Sequence, residues 1–294
     1  MTPAAGVAAR QHSIREVLAA GWRLFMAGMG EVFPWVLAAE LLQLLPFANS
    51  GGILDTDVSL FLNPVFLVKA VAFGTLQAFL YAVAVLRLAR LAGGPQGTTV
   101  WPAMRATPAV LIAYIVYTLI AMLGLGLGML VFTTGLVLLG PLPGLLISLI
   151  PLAPTAAAST ALAFFIYPAV LERRGPMAAL NDSARLARSG WARASLIVSV
   201  PALALLAAWL AGNGVELTRS MSDTLKQLSS MDADVSTDQI QALLSGAAGE
   251  SASHGAWGWR VLGAVSGAFA WWYTLAVCYA EYRDLKSWAE ARAH

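Results

Sequence analysis

Charge is the scarcest commodity in this sequence. Asp, Glu, Lys and Arg make up 12% of its 294 residues, about half the share found in a water-soluble domain. With 59% hydrophobic residues and a mean hydropathy of +0.71, a soluble core could not hide so much apolar surface. The net charge of +2 gives no reason to expect a nucleic-acid partner. Cysteine is nearly absent: Cys278 stands alone, which excludes an internal disulfide and a cysteine-based metal cluster. The histidines are His12, His254 and His294, far apart and outside the apolar stretches, so neither a metal site nor a cofactor is expected. Residues 1–13 contain no apolar run of the kind a cleavable signal peptide needs, and Arg15, Glu16 and Arg23 interrupt the next segment of the chain.

What is present in abundance is long apolar sequence. A hydrocarbon core about 30 Å thick takes about 20 apolar residues per helix. Six stretches qualify: Val32–Phe47, Pro64–Leu86, Pro108–Phe132, Leu145–Leu171, Ala194–Leu210 and Gly258–Ala280. The third and fourth come from one run without Asp, Glu, Lys or Arg, from residue 106 to 171, which divides at Gly140-Pro141-Leu142-Pro143-Gly144. Basic residues decide the count, because cytoplasmic loops concentrate Lys and Arg. With six spans and an inside N-terminus, only Lys69, Arg219, Lys226 and Arg260 of the 18 basic residues fall outside. A third span within the charge-free run would place the later basic clusters on the wrong side. Trp257, Trp259 and Trp288 flank the last span as interfacial anchors, while Trp271, Trp272 and Tyr273 lie deeper and are read as packing residues. The expected fold is therefore an all-α integral membrane protein of the bacterial inner membrane, with six transmembrane helices as three hairpins. Both termini are cytoplasmic, residues 1–12 form a disordered N-terminus, 13–288 one membrane domain, and 289–294 a tail.

Two cytoplasmic segments read as amphipathic interfacial helices. Ser13-Ile14-Arg15-Glu16 is a capping-box pattern, and Ile14, Val17, Leu18, Gly21, Leu24, Phe25 and Gly28 then recur at helical spacing. Before the fifth span, Pro176 suits a first helical position, and Met177, Leu180, Ala184 and Ala187 form an apolar stripe beside basic residues. Arg15, Arg23, Arg185 and Arg188 on these helices are candidate contacts for anionic lipid headgroups. Both helices contain Arg-Leu with Gly five residues after the Arg, which raises an internal repeat: units 13–91, 98–174 and 176–288, the middle one led by a short segment at Thr99–Thr107. Three unrelated hairpins explain the same pattern equally well.

Three further stretches carry a resemblance. These are Gly140-Pro-Leu-Pro-Gly-Leu-Leu, then Tyr167-Pro-Ala-Val-Leu-Glu-Arg-Arg-Gly-Pro176, then Ala179-Leu-Asn-Asp-Ser-Ala-Arg-Leu-Ala-Arg-Ser-Gly-Trp191, with a closing Tyr282-Arg-Asp-Leu-Lys286. They resemble the six-helix membrane domain fused to some glycerophosphodiester phosphodiesterases and shared with YciC-like bacterial inner-membrane proteins. The resemblance implies a membrane domain without the catalytic one, hence no enzyme activity. The long loop between the last two spans departs from that pattern.

Inside the spans, Glu40 is the polar residue of most interest, since an ionisable group at membrane depth marks a functional or paired site. At 1.5 Å per residue, Glu40 lies ~14 Å from Glu31 and Gln77 ~15 Å from Arg87, so the two side chains should be level on neighbouring antiparallel helices. One reading is a proton or substrate site; the other is a hydrogen bond that glues two helices. Lys69 belongs near the outer surface, with Asp55 and Asp57 as partners. Gly124-Leu-Gly-Leu-Gly128 has no strand before it, so it is not a nucleotide-binding turn; with Gly263 and Gly267 it suits small-residue helix contacts. The loop at 211–257 is acidic and carries two short amphipathic helices, with 214–250 a surface for a second copy or an envelope partner. The expected function is a non-enzymatic protein whose partners are membrane lipids. The alternative is a small transporter or channel with a polar site at Glu40 and Gln77.

Overall fold

The computed structural model describes residues 12–44, 64–94, 98–139, 147, 157–200, 203–204, 207 and 256–293. Among these the backbone is helix joined by turns, without a strand. In chain order the helices are α1 (Ile14–Ala27), α2 (Phe33–Leu41, tightening into a 3-10 turn at Leu42–Leu44), α3 (Pro64–Leu91) and α4 (Val100–Leu139), followed by α5 (Ile166–Leu171), α6 (Pro176–Ser189), α7 (Trp191–Val200) and α8 (Ala256–Ala293). Residues 1–11, Asp55, Asp57 and the acidic loop at 214–250 lie outside the described residues.

Three stretches are long and apolar enough to cross a membrane: Val68–Leu91, Val100–Gly128 and Val261–Arg292. They coincide with the second, third and sixth spans read from the sequence. The described parts of the other three are shorter, namely α2, the apolar helix Ala157–Leu171 and α7, and their remainders lie outside the described residues. The outer surface is that of a membrane protein. Val68, Leu123 and Leu130 are 69%, 66% and 62% exposed, and so large an apolar surface facing outward has no place in water. Three large aromatic side chains, Trp272, Tyr167 and Phe164, are fully buried.

α1 begins with the expected capping box. The Glu16 amide donates to Ser13 Oγ at 3.3 Å, and the Ser13 amide donates to Glu16 Oε2 at 2.6 Å, satisfying two of the four amides a helix start leaves open. Val17, Gly21 and Phe25, four residues apart, form its buried edge. That edge is not turned to lipid: it runs antiparallel along α8. Val17 packs with Val277, Phe25 stacks on Trp272, and Trp272 Nε1 donates to the Phe25 carbonyl at 3.0 Å. A Cβ at Gly21 would stand 2.8 Å from Val277 Cα, so glycine is what lets the two backbones approach. The apolar edge of α1 thus packs on α8, leaving Trp22 and Met26 exposed.

α6 brings a correction. Its buried residues are Ala179, Leu180, Ser183 and Ala187, whereas Met177, expected on the apolar stripe, is 67% exposed. Ser183 takes the inward place because both its hydrogen-bonding roles are met there. Its hydroxyl accepts the Phe164 amide at 3.1 Å and donates to the Ala161 carbonyl at 2.8 Å. In α4 the segment at Thr99–Thr107 and the span after it form one helix through Pro108. Pro108 has no amide to donate, and the Thr107 hydroxyl bonds the Ala103 carbonyl at 2.8 Å beside it. Forty residues make about 60 Å of helix, twice the hydrocarbon thickness, so α4 extends well beyond the membrane core.

Candidate functional site

Glu40 sits on the last turn of α2 and is 5% exposed. Small neighbours on α8 make room for it: a Cβ at Gly267 would meet Glu40 Oε2 at 3.6 Å. The two levelled residues do belong to one polar cluster, but their link is indirect. Tyr81 stands between them, its hydroxyl donating to Glu40 Oε1 while Gln77, one turn earlier on α3, hydrogen-bonds the same tyrosine. Trp271 covers the ring at 6.0 Å. Depth alone identified the right pair of helices. Tyr81 was missed, and the signal for it was its position four residues after Gln77, hence on the same face of α3.

The four candidate headgroup residues, Arg15, Arg23, Arg185 and Arg188, are all exposed. Apolar side chains accompany them: Trp22 and Met26 on α1, Met177 on α6 and Trp191 at the start of α7 are exposed as well. The same pairing recurs elsewhere on these helix ends. The Arg105 guanidinium lies 5.0 Å over Trp101, and that of Arg292 lies 3.9 Å over Trp288, within the range of cation–π attraction.

A second polar centre was not singled out from the sequence. Arg193 at the start of α7 reaches α8, where Nη2 donates to Glu281 Oε2 at 2.6 Å and also to Asp284 Oδ2. Its Nη1 donates to the His12 carbonyl at 2.6 Å, and His12 Nδ1 in turn meets Asp284 Oδ1. Glu281 is fully buried. One arginine therefore ties α7, α8 and the residue preceding the α1 cap. By sequence alone, Arg193 counts among the basic loop residues and His12 falls in the N-terminal tail.

Of the stretches behind the family resemblance, those at 167–176, 179–191 and 282–286 converge close by, while 140–146 lies outside the described residues. Glu172 Oε1 accepts from the Tyr282 hydroxyl and, at 2.8 Å, from Lys286 Nζ. Arg174 Nε bridges Glu172 at 3.6 Å and Asp182 at 3.4 Å. The Tyr167 hydroxyl donates to the Leu275 carbonyl at 2.8 Å, and Arg283 to the Ala92 carbonyl at 2.8 Å. Partial burial works to raise the Glu172 carboxyl, but the hydrogen bonds from Lys286 and Tyr282 and the Arg174 charge outweigh it and hold it below the ordinary carboxylate value. These motif residues thus lock α5, α6 and α8 together. Among the described residues no His, Cys, Asp and Glu side chains group as a metal site. No family model, curated protein or solved structure matches this chain.

Proposed function

We propose that the protein is a non-enzymatic, lipid-interacting protein of the bacterial inner membrane that organises lipid at the cytoplasmic leaflet, with both termini on that side. The observation that carries this reading is the set of exposed arginines interleaved with exposed Trp and Met on α1, α6 and the start of α7. Arg15, Arg23, Arg185 and Arg188 make no ion pair among the described residues, which leaves their charge available to phosphate groups. Trp and Met beside them suit the boundary between headgroups and acyl chains. The inside-positive bias of the sequence supports the orientation, and the resemblance to YciC-like membrane proteins supports an envelope role; six spans in three hairpins belong to the same proposal.

Native mass spectrometry of the protein extracted from a mixed bilayer tests it. Anionic phospholipid should be retained in preference to zwitterionic lipid. Replacing all four arginines by Gln should lower that preference several-fold, since each basic residue near an anionic surface contributes about 1 kcal/mol. An unchanged lipid profile would sink the reading.

A second reading, a small transporter or channel, is favoured by one observation: the partly buried hydrogen-bonded chain Glu40–Tyr81–Gln77 in a region otherwise poor in polar side chains. Glu40→Gln separates the two. Gln keeps an acceptor for Tyr81, so folding should change by no more than about 1 kcal/mol, and under the lipid-organising reading the retained lipids should be unaltered. Proteoliposome flux that is present in the parent and lost in Glu40→Gln would establish the transporter instead.

A further inference from the structure

The last turn of α3, the first turn of α4, the end of α5 and the middle of α8 enclose a cleft of about 380 Å³. Its chemistry is lopsided. Leu86 and Leu171 form an apolar wall, while Arg90, Arg173, Thr98 and Thr99 supply polar groups, and among the described residues no acidic side chain lines it. Two guanidinium groups without a carboxylate in the same cleft are uncompensated, and neither Arg90 nor Arg173 makes an ion pair among the described residues.

Local backbone structure keeps it so. Arg173 and Arg174 are adjacent in sequence but part company. Arg174 bridges Glu172 and Asp182, whereas Arg173 is held at φ +54°, the left-handed region, and lines the cleft. An L-residue in that conformation costs about 1–2 kcal/mol, and such outliers concentrate where a side chain has to be presented to something. The turn is closed by the Arg174 amide donating to the Pro168 carbonyl at 3.1 Å. On the opposite side α4 begins immediately after Thr99. The Ala103 amide closes the first helical bond onto the Thr99 carbonyl, so the amides of Val100 and Trp101, ahead of it, are left for an acceptor in front of the helix.

We propose that this cleft binds the phosphate group of an amphiphilic ligand, with Arg90 and Arg173 as the charged clamp, Thr98 and Thr99 as hydroxyl donors, and the Leu86–Leu171 wall receiving the ligand's apolar portion. Guanidinium forks match phosphate oxygens in geometry as well as charge. The volume is that of a small-ligand site and admits a headgroup rather than a whole lipid. The proposal deepens the lipid-interacting reading by replacing a diffuse basic surface with a defined, stoichiometric site. A soluble phosphate ester presents the same chemistry, so the source of the phosphate is part of the test.

The test uses the full chain in nanodiscs, with three probes: phosphatidylglycerol, sn-glycerol 3-phosphate and inorganic phosphate. The parent should retain one tightly held phosphatidylglycerol in native mass spectra or bind a soluble phosphate saturably in calorimetry; the first outcome identifies a lipid source and the second a soluble one. Arg90→Gln/Arg173→Gln should weaken that binding at least tenfold, the loss of one charge-assisted hydrogen bond amounting to ~10-fold. Arg90→Lys/Arg173→Lys, which keeps charge but not the fork, should lie between. Both arginines are free of ion pairs among the described residues, so these variants should elute and unfold like the parent. Undiminished stoichiometric binding in the Gln variant overturns the cleft, as does the absence of binding of all three probes. The four-arginine variant on α1 and α6 distinguishes the failures. If no soluble phosphate binds and the four-arginine variant alone loses anionic-lipid preference, the cleft proposal fails while the lipid-interacting reading stands; if no soluble phosphate binds and neither variant changes the lipid profile, both fail.

Discussion

Replacing Arg193 by methionine is expected to destabilise the protein by about 3–5 kcal/mol, the usual consequence of removing one partner from a buried ion pair. Arg193 is the cation within bonding distance of the fully buried Glu281 and of Asp284, and its Nη1 also carries the His12 carbonyl. Without it two carboxylates on neighbouring turns of α8 face each other in a region where water is scarce. The double variant Arg193→Met/Glu281→Leu removes the stranded charge and should recover a substantial part of the loss, since a buried pair replaced by apolar side chains is often close to neutral. Thermal unfolding of the detergent-solubilised protein, followed by tryptophan fluorescence, measures both. Equal losses in the single and double variants would show that the buried charge of Glu281 is not the source.

Gly21→Leu is the second change with a large expected effect. A Cβ at residue 21 would lie 2.7 Å from Val277 Cγ2 and 2.8 Å from Val277 Cα. The first contact can be relieved by a rotamer change, the second only by moving a helix. Overpacking of this kind costs about 1–3 kcal/mol and more where backbone must shift. Here the simplest relief is for α1 to lift from α8, losing the Phe25–Trp272 stack and the Trp272 hydrogen bond. Trypsin should then cleave after Arg15 and Arg23 far faster than in the parent, with Gly21→Ala intermediate. Parental resistance in Gly21→Leu would mean that the α1–α8 contact tolerates separation, against the packing described.

Local chemistry was legible in the sequence, and azimuth was not. The Ser13–Glu16 cap depends on residues three apart and formed as read. Three of the six apolar stretches, Pro64–Leu86, Pro108–Phe132 and Gly258–Ala280, coincide with helices able to cross a membrane. The described part of the stretch Val32–Phe47 is α2 and the 3-10 turn at Leu42–Leu44. Glu40 and Gln77 were levelled by counting residues, but counting gives height along a helix and not direction around it. Tyr81 lies ~6 Å closer to the Arg87 end than Gln77, and a phenol is long enough to cross that difference, so it takes the carboxyl. The Arg193 centre was illegible for another reason. Its partners are 88 and 91 residues away, and an arginine in a basic loop looks the same whether it meets lipid or a buried glutamate. The same ambiguity hid Arg173, which has no ion pair among the described residues while its sequence neighbour Arg174 has two.

The antiparallel pairing of α1 with α8 joins the first and the last of the described helices. Phe25 and Trp272 are 247 residues apart, which at 5–20 residues per second puts ~12–50 s of translation between them. Throughout that interval α1 has emerged without its partner, its glycine edge open to chaperone, protease or bilayer. Only a chain translated past Asp284 can close both the helix pair and the His12–Arg193 clasp. Protection of α1 therefore reports that translation has passed α8: a ribosome that stalls before Asp284 leaves a product that is recognisable at α1.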